Sequence, residues 1–291
     1  MTDSSIVNNC MLVNLQIGVW TGHRLDREAS ARVTSEAHAD ADAARVNKHI
    51  IAKTALQPIV SAASSVRHHF YNKTLPWKDN GDRLLTRALY TDFMQEHNKL
   101  SDDFRRQVYL FIDLTYPQAV AHAEFRMGDL FNPSDYPTPT ALARKFYVGL
   151  DIDAVTEAGD FRVELEKSEL QVVQKSMQDA MQTRLTRAMQ DVWERVEQRL
   201  SHFADKMGSD ENFRRSTLEN LEEIANLIPA LNIVNDPRLE LIGDEIRAVL
   251  VGHDPKVLRK RKEIRAEVAD EAQRIMDTLK GYMSAFGGAS E

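Results

Sequence analysis

Nine histidines, one cysteine and a large number of carboxylates are the residues in this chain that could do chemistry. The histidines are scattered, and none of them stands in the His-Glu-x-x-His spacing that places two metal ligands on one helix face. The single cysteine, Cys10, cannot form an internal disulfide, and its place at the edge of an apolar strand is typical of a small buried hydrophobe. We therefore predict no metal site and no cofactor.

Four carboxylates lie close together in the sequence, and they are Glu157, Asp160, Glu164 and Glu166. Paired carboxylates of unequal pKa carry out acid-base catalysis, but solvated carboxylates also accumulate in loops and at strand edges. No nucleophile, base partner or glycine-rich phosphate loop accompanies this cluster. We predict no catalytic residues and no enzyme. An enzyme of another type would require carboxylates such as Asp135 and Asp160 to converge in one pocket.

A run of cations near the C-terminus, here termed the basic collar, is the best candidate for contact with nucleic acid. It consists of Lys256, Arg259, Lys260, Arg261, Lys262 and Arg265. Such a run can bind phosphates. The alternative is a solvated helix face with intrahelical ion pairs, because Glu263 and Glu267 follow closely. Aromatic residues that stack on bases are not interleaved with the run.

Two apolar groups are candidates for binding a protein partner. The first is the aromatic group Phe70, Tyr71 and Trp77, which forms a partner-binding patch if exposed and pins a loop onto the core if buried. The second is a methionine stripe at helical spacing that includes Met177, Met181 and Met189. Methionine suits core packing and also adaptable interfaces, so the stripe has a core role or a role in self-association.

The elements that position these residues follow from periodicity and from proline and glycine. Apolar residues alternate over residues 11–19, which predicts a strand. Residues 146–152 and 161–165 alternate as well and could pair as a hairpin, with the first strand completing a small antiparallel sheet. Three prolines between residues 133 and 139 exclude regular structure there. Helices are predicted at residues 26–51, 56–71, 83–100 and 101–127, the last with an interruption at Pro117.

The second half of the chain has a helical pattern. Apolar residues recur at spacings of three and four from residue 167 to 207, a helix of roughly 40 residues and about 60 Å. A helix of that length must bury its apolar stripe against other helices or another chain. The C-terminal helix, predicted at residues 255–286, is the natural candidate. We predict a mainly α fold with a small antiparallel β element in the N-terminal half and a long-helix bundle or antiparallel coiled coil in the C-terminal half. The predicted domains are residues 1–165 and 166–286, followed by a frayed tail at 287–291.

Composition limits the classes of function. The chain has 291 residues, of which 43% are hydrophobic and 28% charged, and a formal net charge of −7. This balance is typical of a folded cytosolic protein whose overall field repels nucleic acid and anionic membranes. We expect no secretion signal and no membrane association, because no stretch approaches the roughly 20 apolar residues of a membrane span.

Six segments of the chain carry recognisable motifs. They are Asp129-Leu130-Phe131-Asn132-Pro133-Ser134-Asp135-Tyr136-Pro137, Ala158-Gly159-Asp160-Phe161-Arg162-Val163, Asn72-Lys73-Thr74-Leu75-Pro76-Trp77, Gly81-Asp82-Arg83-Leu84-Leu85, Met11-Leu12-Val13-Asn14-Leu15 and Trp20-Thr21-Gly22. Together they resemble a family of bacteriophage and prophage proteins that is catalogued only as a domain of unknown function. The resemblance runs from near the N-terminus into the long helix and carries no catalytic residues with it.

The resemblance implies a phage origin and a location in the cytoplasm of the infected bacterial host. It also implies an association with MoxR-like AAA+ ATPases and proteins with von Willebrand A domains, near which relatives are often encoded. The leading hypothesis is a non-enzymatic interaction or adaptor protein that binds a phage or host protein, and a homo-oligomer is compatible with it. The alternative is a nucleic-acid-binding accessory protein in phage replication, recombination or transcription, which would use the basic collar.

Overall fold

The structure is a computed structural model, and it describes residues 4–156, 166–208 and 214–287. The fold is mainly helical, with short strands in the N-terminal half and long helices in the C-terminal half, which confirms the predicted fold class. The N-terminal elements are α1 (Ser4–Asn9), β1 (Cys10–Gly18), β2 (His23–Asp26), α2 (Arg27–Glu36), β3 (Val46–His49), α3 (Lys53–Lys73), β4 (Leu75–Pro76), β5 (Arg83–Thr86), α4 (Tyr90–Leu110), α5 (Tyr116–Ala121), α6 (Ala123–Met127), α7 (Pro139–Ala143) and β6 (Tyr147–Ala154). The C-terminal elements are α8 (Lys167–Gly208), α9 (Arg215–Leu231), α10 (Pro237–Glu245), α11 (Pro255–Lys260) and α12 (Lys262–Gly287).

Six short strands form two sheets in the described part of the chain. The larger has the order β4-β5-β1-β6, and in it β1 runs antiparallel to β5 with Cys10 opposite Thr86. The smaller sheet is the antiparallel pair β2-β3. Strands β1 and β6 agree with the predicted strands at residues 11–19 and 146–152. The other half of the predicted hairpin, at residues 161–165, lies outside the described residues.

By their contacts the residues divide into two compact units. The first unit comprises Met1–Asn14, Lys73–Thr91 and Ile152–Glu291, and the second comprises Leu15–Asn72 and Asp92–Asp151. These units interleave along the chain, whereas the domains predicted from the sequence are contiguous ranges. Strand β1 contributes its first residues to one unit and its last residues to the other.

The core of the first unit is a helical bundle in which α8 packs against α9 and α12. Fully buried residues of α8 recur at helical spacing from Ala188 to Met207. Helix α12 runs antiparallel to α8, because Arg265 near its start contacts the carbonyl of Met207, while Tyr282 near its end packs its ring 6.3 Å from that of Trp193. The C-terminal helix therefore covers the buried part of the long helix, from about Trp193 to Met207, as predicted for the stripe of that helix.

The second unit has a separate core, formed mainly by α3, the end of α4 and α5. Its buried residues include Ile59, Ala63, Phe104, Phe111 and Tyr116. Residues 111–115 between α4 and α5 form a π-helical segment that leads to Pro117, the position at which the sequence predicts an interruption. Proline cannot donate the intrahelical hydrogen bond, so the change of helical geometry ahead of it agrees with its chemistry.

Two helices predicted in the N-terminal half are wrong in extent. The predicted helix at residues 26–51 contains α2 but ends in β3, and the one predicted at 83–100 begins as β5, with its helix starting only at Tyr90. In β5, Leu84 and Leu85 are both fully buried. Burial of both faces of such a short strand outweighs the weak helical preference of its residues.

Two predicted helix ends also lie inside helices. Ser101, a predicted cap, is a buried interior residue of α4 whose hydroxyl lies 3.4 Å from Nε2 of His97. Pro229, a predicted helix end, is passed by α9, which continues to Leu231. The proline leaves the carbonyl of Ala225 without its usual helical donor, and the guanidinium of Arg247 donates to that oxygen instead.

Candidate functional site

A cavity with a polar lining lies in the second unit and has a volume of about 690 Å³. It is formed by the β2-β3 pair, the first turn of α2 and the segment that precedes α7. Residues that line it are His23, Arg24, Leu25, Asp26, Arg27, Glu28, Lys48, Asp129, Leu130, Phe131, Asn132, Ser134 and Asp135. The wall thus includes much of the Asp129–Pro137 segment.

Lys48 is the central charged group of the cavity. Its ammonium lies 2.7 Å from a carboxylate oxygen of Asp135 and 3.4 Å from one of Asp26, and it donates to the carbonyl of Leu130 at 3.0 Å. Arg24 adds a second cation 3.3 Å from Asp135. The side chains of Lys48 and Asp135 are 10% and 9% exposed, so these charges are held largely away from water. Together they form an ion cluster that ties three segments of the second unit together.

The electrostatics of this cluster favour its charged forms. The hydrogen bond from Ala29 N–H, which Asp26 accepts as the cap of α2, lowers the pKa of that carboxyl, and Lys48 lowers it further. The hydrogen bond to Asp135 raises the pKa of Lys48 above its usual value. Lys48 is therefore an ammonium at neutral pH. A lysine that acts as a base or nucleophile must be neutral, so the cluster favours binding or structure over catalysis by Lys48.

Residues 130–139 are here termed the proline loop. The prediction that its three prolines exclude regular structure is wrong, because Pro133–Asp135 forms a 3₁₀ turn and Pro139 begins α7, and proline is compatible with the first turn of a helix. The side chain of Asn132 accepts from both the backbone N–H and the hydroxyl of Ser134. Tyr136 donates to the carbonyl of Ile50 at 3.2 Å, and Tyr116 donates to the carbonyl of Pro137 at 2.7 Å. Burial raises the pKa of Tyr116 to about 12, so its hydroxyl remains a donor. The loop motif thus has a structural explanation in the second unit.

Histidines and carboxylates are the candidate metal ligands and acid-base groups of this chain. No group of three or more potential ligands is placed to hold a metal ion within residues 4–156, 166–208 and 214–287. The rings of His23 and His49 lie 4.0 Å apart on paired strands, without a third ligand in that described region. Of the predicted carboxylate cluster, Glu157, Asp160 and Glu164 lie outside the described residues, and Glu166 is exposed.

The basic collar divides into exposed and buried members. The exposed members run from the first turn of α11 to the first residue of α12, and they are Lys256, Arg259, Lys260, Arg261 and Lys262. Arg265 is only 9% exposed, and its Nε donates to the carbonyl of Met207 at 3.0 Å. Arg265 is thus a structural residue that caps the C-terminal end of α8, and the other five form the accessible collar.

The predicted partner-binding residues divide in the same way. Phe70, Trp77, Met181 and Met189 are buried at 2%, 3%, 7% and 1% exposure, so on the folded chain they are core residues and not surface. This outcome corresponds to the alternative in which the aromatic group and most of the methionine stripe pack the interior. Tyr71 is 52% exposed and Met177 is half-buried, so these two remain accessible.

Sequence reasoning singled out Asp135 but missed Lys48 and Arg24 as its partners. Lys48 falls within the predicted helix of residues 26–51, whereas the structure places it on β3. The two aspartates of Ala39-Asp40-Ala41-Asp42, between α2 and β3, were the one signal of a break in the predicted helix. Pairing of β2 with β3 depends on contacts that no local pattern encodes.

No family model, curated protein or solved structure matches this chain. Among the described residues no helix is both long enough and apolar enough to span a bilayer.

Proposed function

We propose that this protein is a non-enzymatic interaction protein that binds another protein through the exposed first third of α8. The supporting observation is a change in burial along this helix. Helix α8 has 42 residues, which at about 1.5 Å each is about 63 Å. None of its residues 167–180, all of which are described, is buried, and Met181 is the first buried side chain.

The uncovered part of α8 keeps the apolar spacing of the buried part. Leu170, Val173 and Met177 recur at intervals of three and four and are half-buried, while Val172 is 70% exposed. An apolar stripe of this kind suits a partner helix that packs along it. Methionine at such a stripe adapts to the shape of its partner. On the basis of the resemblance, we propose that the partner is a phage or host protein, with a MoxR-like AAA+ ATPase as the first candidate. The two proteins would meet in the cytoplasm of an infected bacterium.

The test is affinity purification of tagged protein from phage-infected cells, with nuclease present, followed by mass spectrometry. The test variant carries Val173→Glu and Met177→Glu. The matched control carries Gln171→Glu and Gln178→Glu, which make the same charge change at exposed positions on the opposite side of α8. Stoichiometric recovery of one protein by wild type and control, and its loss in the test variant, would support the proposal. Recovery by all three would contradict it.

Self-association is the competing explanation for the same stripe. Light scattering coupled to size-exclusion chromatography separates the two cases, because a second copy of the chain would double the mass of the wild type. A dimer that Val173→Glu and Met177→Glu convert to a monomer would assign the stripe to a homo-oligomer and would remove the need for another partner.

Nucleic-acid binding is the second candidate, and the five accessible cations of the basic collar favour it. Lys and Arg that neutralise phosphates make binding steeply dependent on salt. We expect Arg259→Glu with Arg261→Glu to abolish such binding. The control is Arg105→Glu with Arg106→Glu, at two exposed arginines that each pair with an aspartate three residues earlier. Both double variants make the net charge of −7 more negative by the same amount. If they weaken binding equally, the change in net charge explains the loss and the collar is not the binding site.

A further inference from the structure

Pairing of β2 with β3 brings His23 and His49 together. They stand directly opposite each other in this antiparallel pair. The N–H of Ile50, which follows His49, donates to the carbonyl of Gly22, which precedes His23, at 3.0 Å. This bond makes the two histidines a non-hydrogen-bonded pair, the kind in which the Cα atoms are closest, at about 4.5 Å. Their side chains therefore lie side by side on one face of the strands.

The two imidazole rings are in contact with each other and are accessible. Their centroids lie 4.0 Å apart, and their planes meet at 75°. His23 is exposed and lines the polar cavity of the second unit, and His49 is half-buried. Within the described ranges, no hydrogen bond joins either ring to another residue, and neither ring nitrogen of His49 is among the fully buried polar atoms. The nitrogen lone pairs are therefore available to a ligand that arrives from solvent.

The separation of the rings is close to the separation that a shared metal ion requires. A metal ion lies about 2.0 to 2.1 Å from the imidazole nitrogen that binds it. Two imidazoles at a tetrahedral angle around one ion therefore have centroids about 5 Å apart. The observed 4.0 Å is shorter by about 1 Å. Rotation about the side-chain torsions of the exposed His23 supplies this difference.

The charges around the pair limit the metals that it can bind. Burial lowers the pKa of His49, and His23, Lys53 and Arg126 lower it further. The imidazole of His49 is therefore neutral at neutral pH, which is the form that binds metals. Lys53 and Arg126 also repel a metal ion, so the ion must gain from imidazole itself. Cu²⁺, Ni²⁺ and Zn²⁺ favour imidazole, whereas Mg²⁺ and Ca²⁺ take oxygen ligands.

We propose that His23 and His49 together bind one transition-metal ion of the class Cu²⁺, Ni²⁺ and Zn²⁺, with water in the remaining coordination positions. The first imidazole holds the ion beside the second, so the second bond forms at a high effective concentration. The next cross-strand pair is Arg24 and Lys48, so the bound ion fastens the strands that carry the cations of the ion cluster. The inference does not depend on the interaction role of α8.

The first test is calorimetric titration of the untagged full chain with Cu²⁺, Ni²⁺, Zn²⁺ and Mg²⁺. We expect one ion per chain, tighter binding of Cu²⁺ than of Ni²⁺, and no binding of Mg²⁺. His23→Gln and His49→Gln should each weaken binding by at least about tenfold, because either leaves a single imidazole. The matched control is His68→Gln, at an exposed histidine of the same unit, and it should leave the affinity unchanged. Absence of saturable binding, or equal weakening by all three variants, would overturn the proposal.

The second test counts the ligands and locates the ion. Pulsed EPR of the Cu²⁺-loaded chain should show nitrogen couplings from two imidazoles in the wild type and from one in His23→Gln. Ni²⁺ should raise the melting temperature of the wild type and of His68→Gln, because it binds the paired strands and not the unfolded chain. His23→Gln changes an exposed side chain, so it tests metal binding without disturbing the packing. A single imidazole in the wild type, or a melting temperature that Ni²⁺ raises equally in His23→Gln, would show that the pair is not the site.

Discussion

The change in burial along α8 predicts that the same substitution destabilises the protein in the buried part of the helix and has almost no effect in the exposed part. Val192 is 0% exposed and Val172 is 70% exposed. Val192→Ala removes two buried methyl groups, which costs about 1.6 kcal/mol at about 0.8 kcal/mol each. The cavity adds about 1 kcal/mol, and the better helix propensity of alanine returns about 0.6 kcal/mol. The expected loss in free energy of unfolding is about 2 kcal/mol.

At Val172 the same substitution should have almost no effect. With 70% of the side chain exposed, only about a third of the transfer free energy is lost, or about 0.5 kcal/mol. The gain in helix propensity, about 0.6 kcal/mol, offsets this loss. Val172→Ala is therefore expected to leave the free energy of unfolding unchanged to within about 0.5 kcal/mol.

Urea unfolding followed by tryptophan emission measures both variants. The background should carry Trp20→Phe, because the remaining tryptophans, Trp77 and Trp193, are both buried in the first unit. Comparable slopes of free energy against urea would show that the change is one of stability. If Val172→Ala costs as much as Val192→Ala, then the start of α8 is packed within the chain, and the argument for a free binding stripe fails.

Three further predictions concern buried charges. Burial lowers the pKa of His97 below 6.5, so the fold favours its neutral form, and the free energy of unfolding should fall as the pH drops below about 6.5. Between pH 7 and pH 5.5 the urea midpoint of His97→Gln should therefore fall less than that of the wild type. Lys48→Met should lower the urea midpoint more than Lys48→Arg, because it leaves the carboxylate of Asp135 without its nearest cation; equal midpoints would show that the ion cluster is not stabilising. Arg265→Gln should lower the melting temperature, since it removes the buried donor to Met207, whereas Arg261→Gln at an exposed site should not.

The long helices could be predicted because their signal is local and repeated. The apolar spacing from residue 167 to 207 matches α8 to within one residue at its end, and Asp236-Pro237 and Asp254-Pro255 mark the starts of α10 and α11. The one break missed there is at Arg261, which separates α11 from α12 with an extended backbone. Nothing in the cationic run Arg259–Lys262 signals that break.

Strands β2 to β5, of two to four residues each, could not be predicted because pairing stabilises them and local preference does not. Strands β2 and β3 have four residues each, and the helical composition around them carries the stronger local signal. The cavity of the second unit was hidden for the same reason, since its central Lys48 meets Asp135 only when β3 and the proline loop come together. Of the cavity's walls, only the proline loop stood out in the sequence, because of its three prolines.

Periodicity, proline placement and charge, all of which are local properties, determined that this protein is mainly helical, that its longest helix needs a partner helix and that its net charge opposes nucleic acid. Tertiary structure alone decided which members of each candidate group are accessible. It buried Arg265, Phe70 and Trp77, exposed the rest of the collar, and left the first third of α8 uncovered. The physical reason is that residue type sets how favourable burial is, whereas the packing of distant segments sets whether burial occurs.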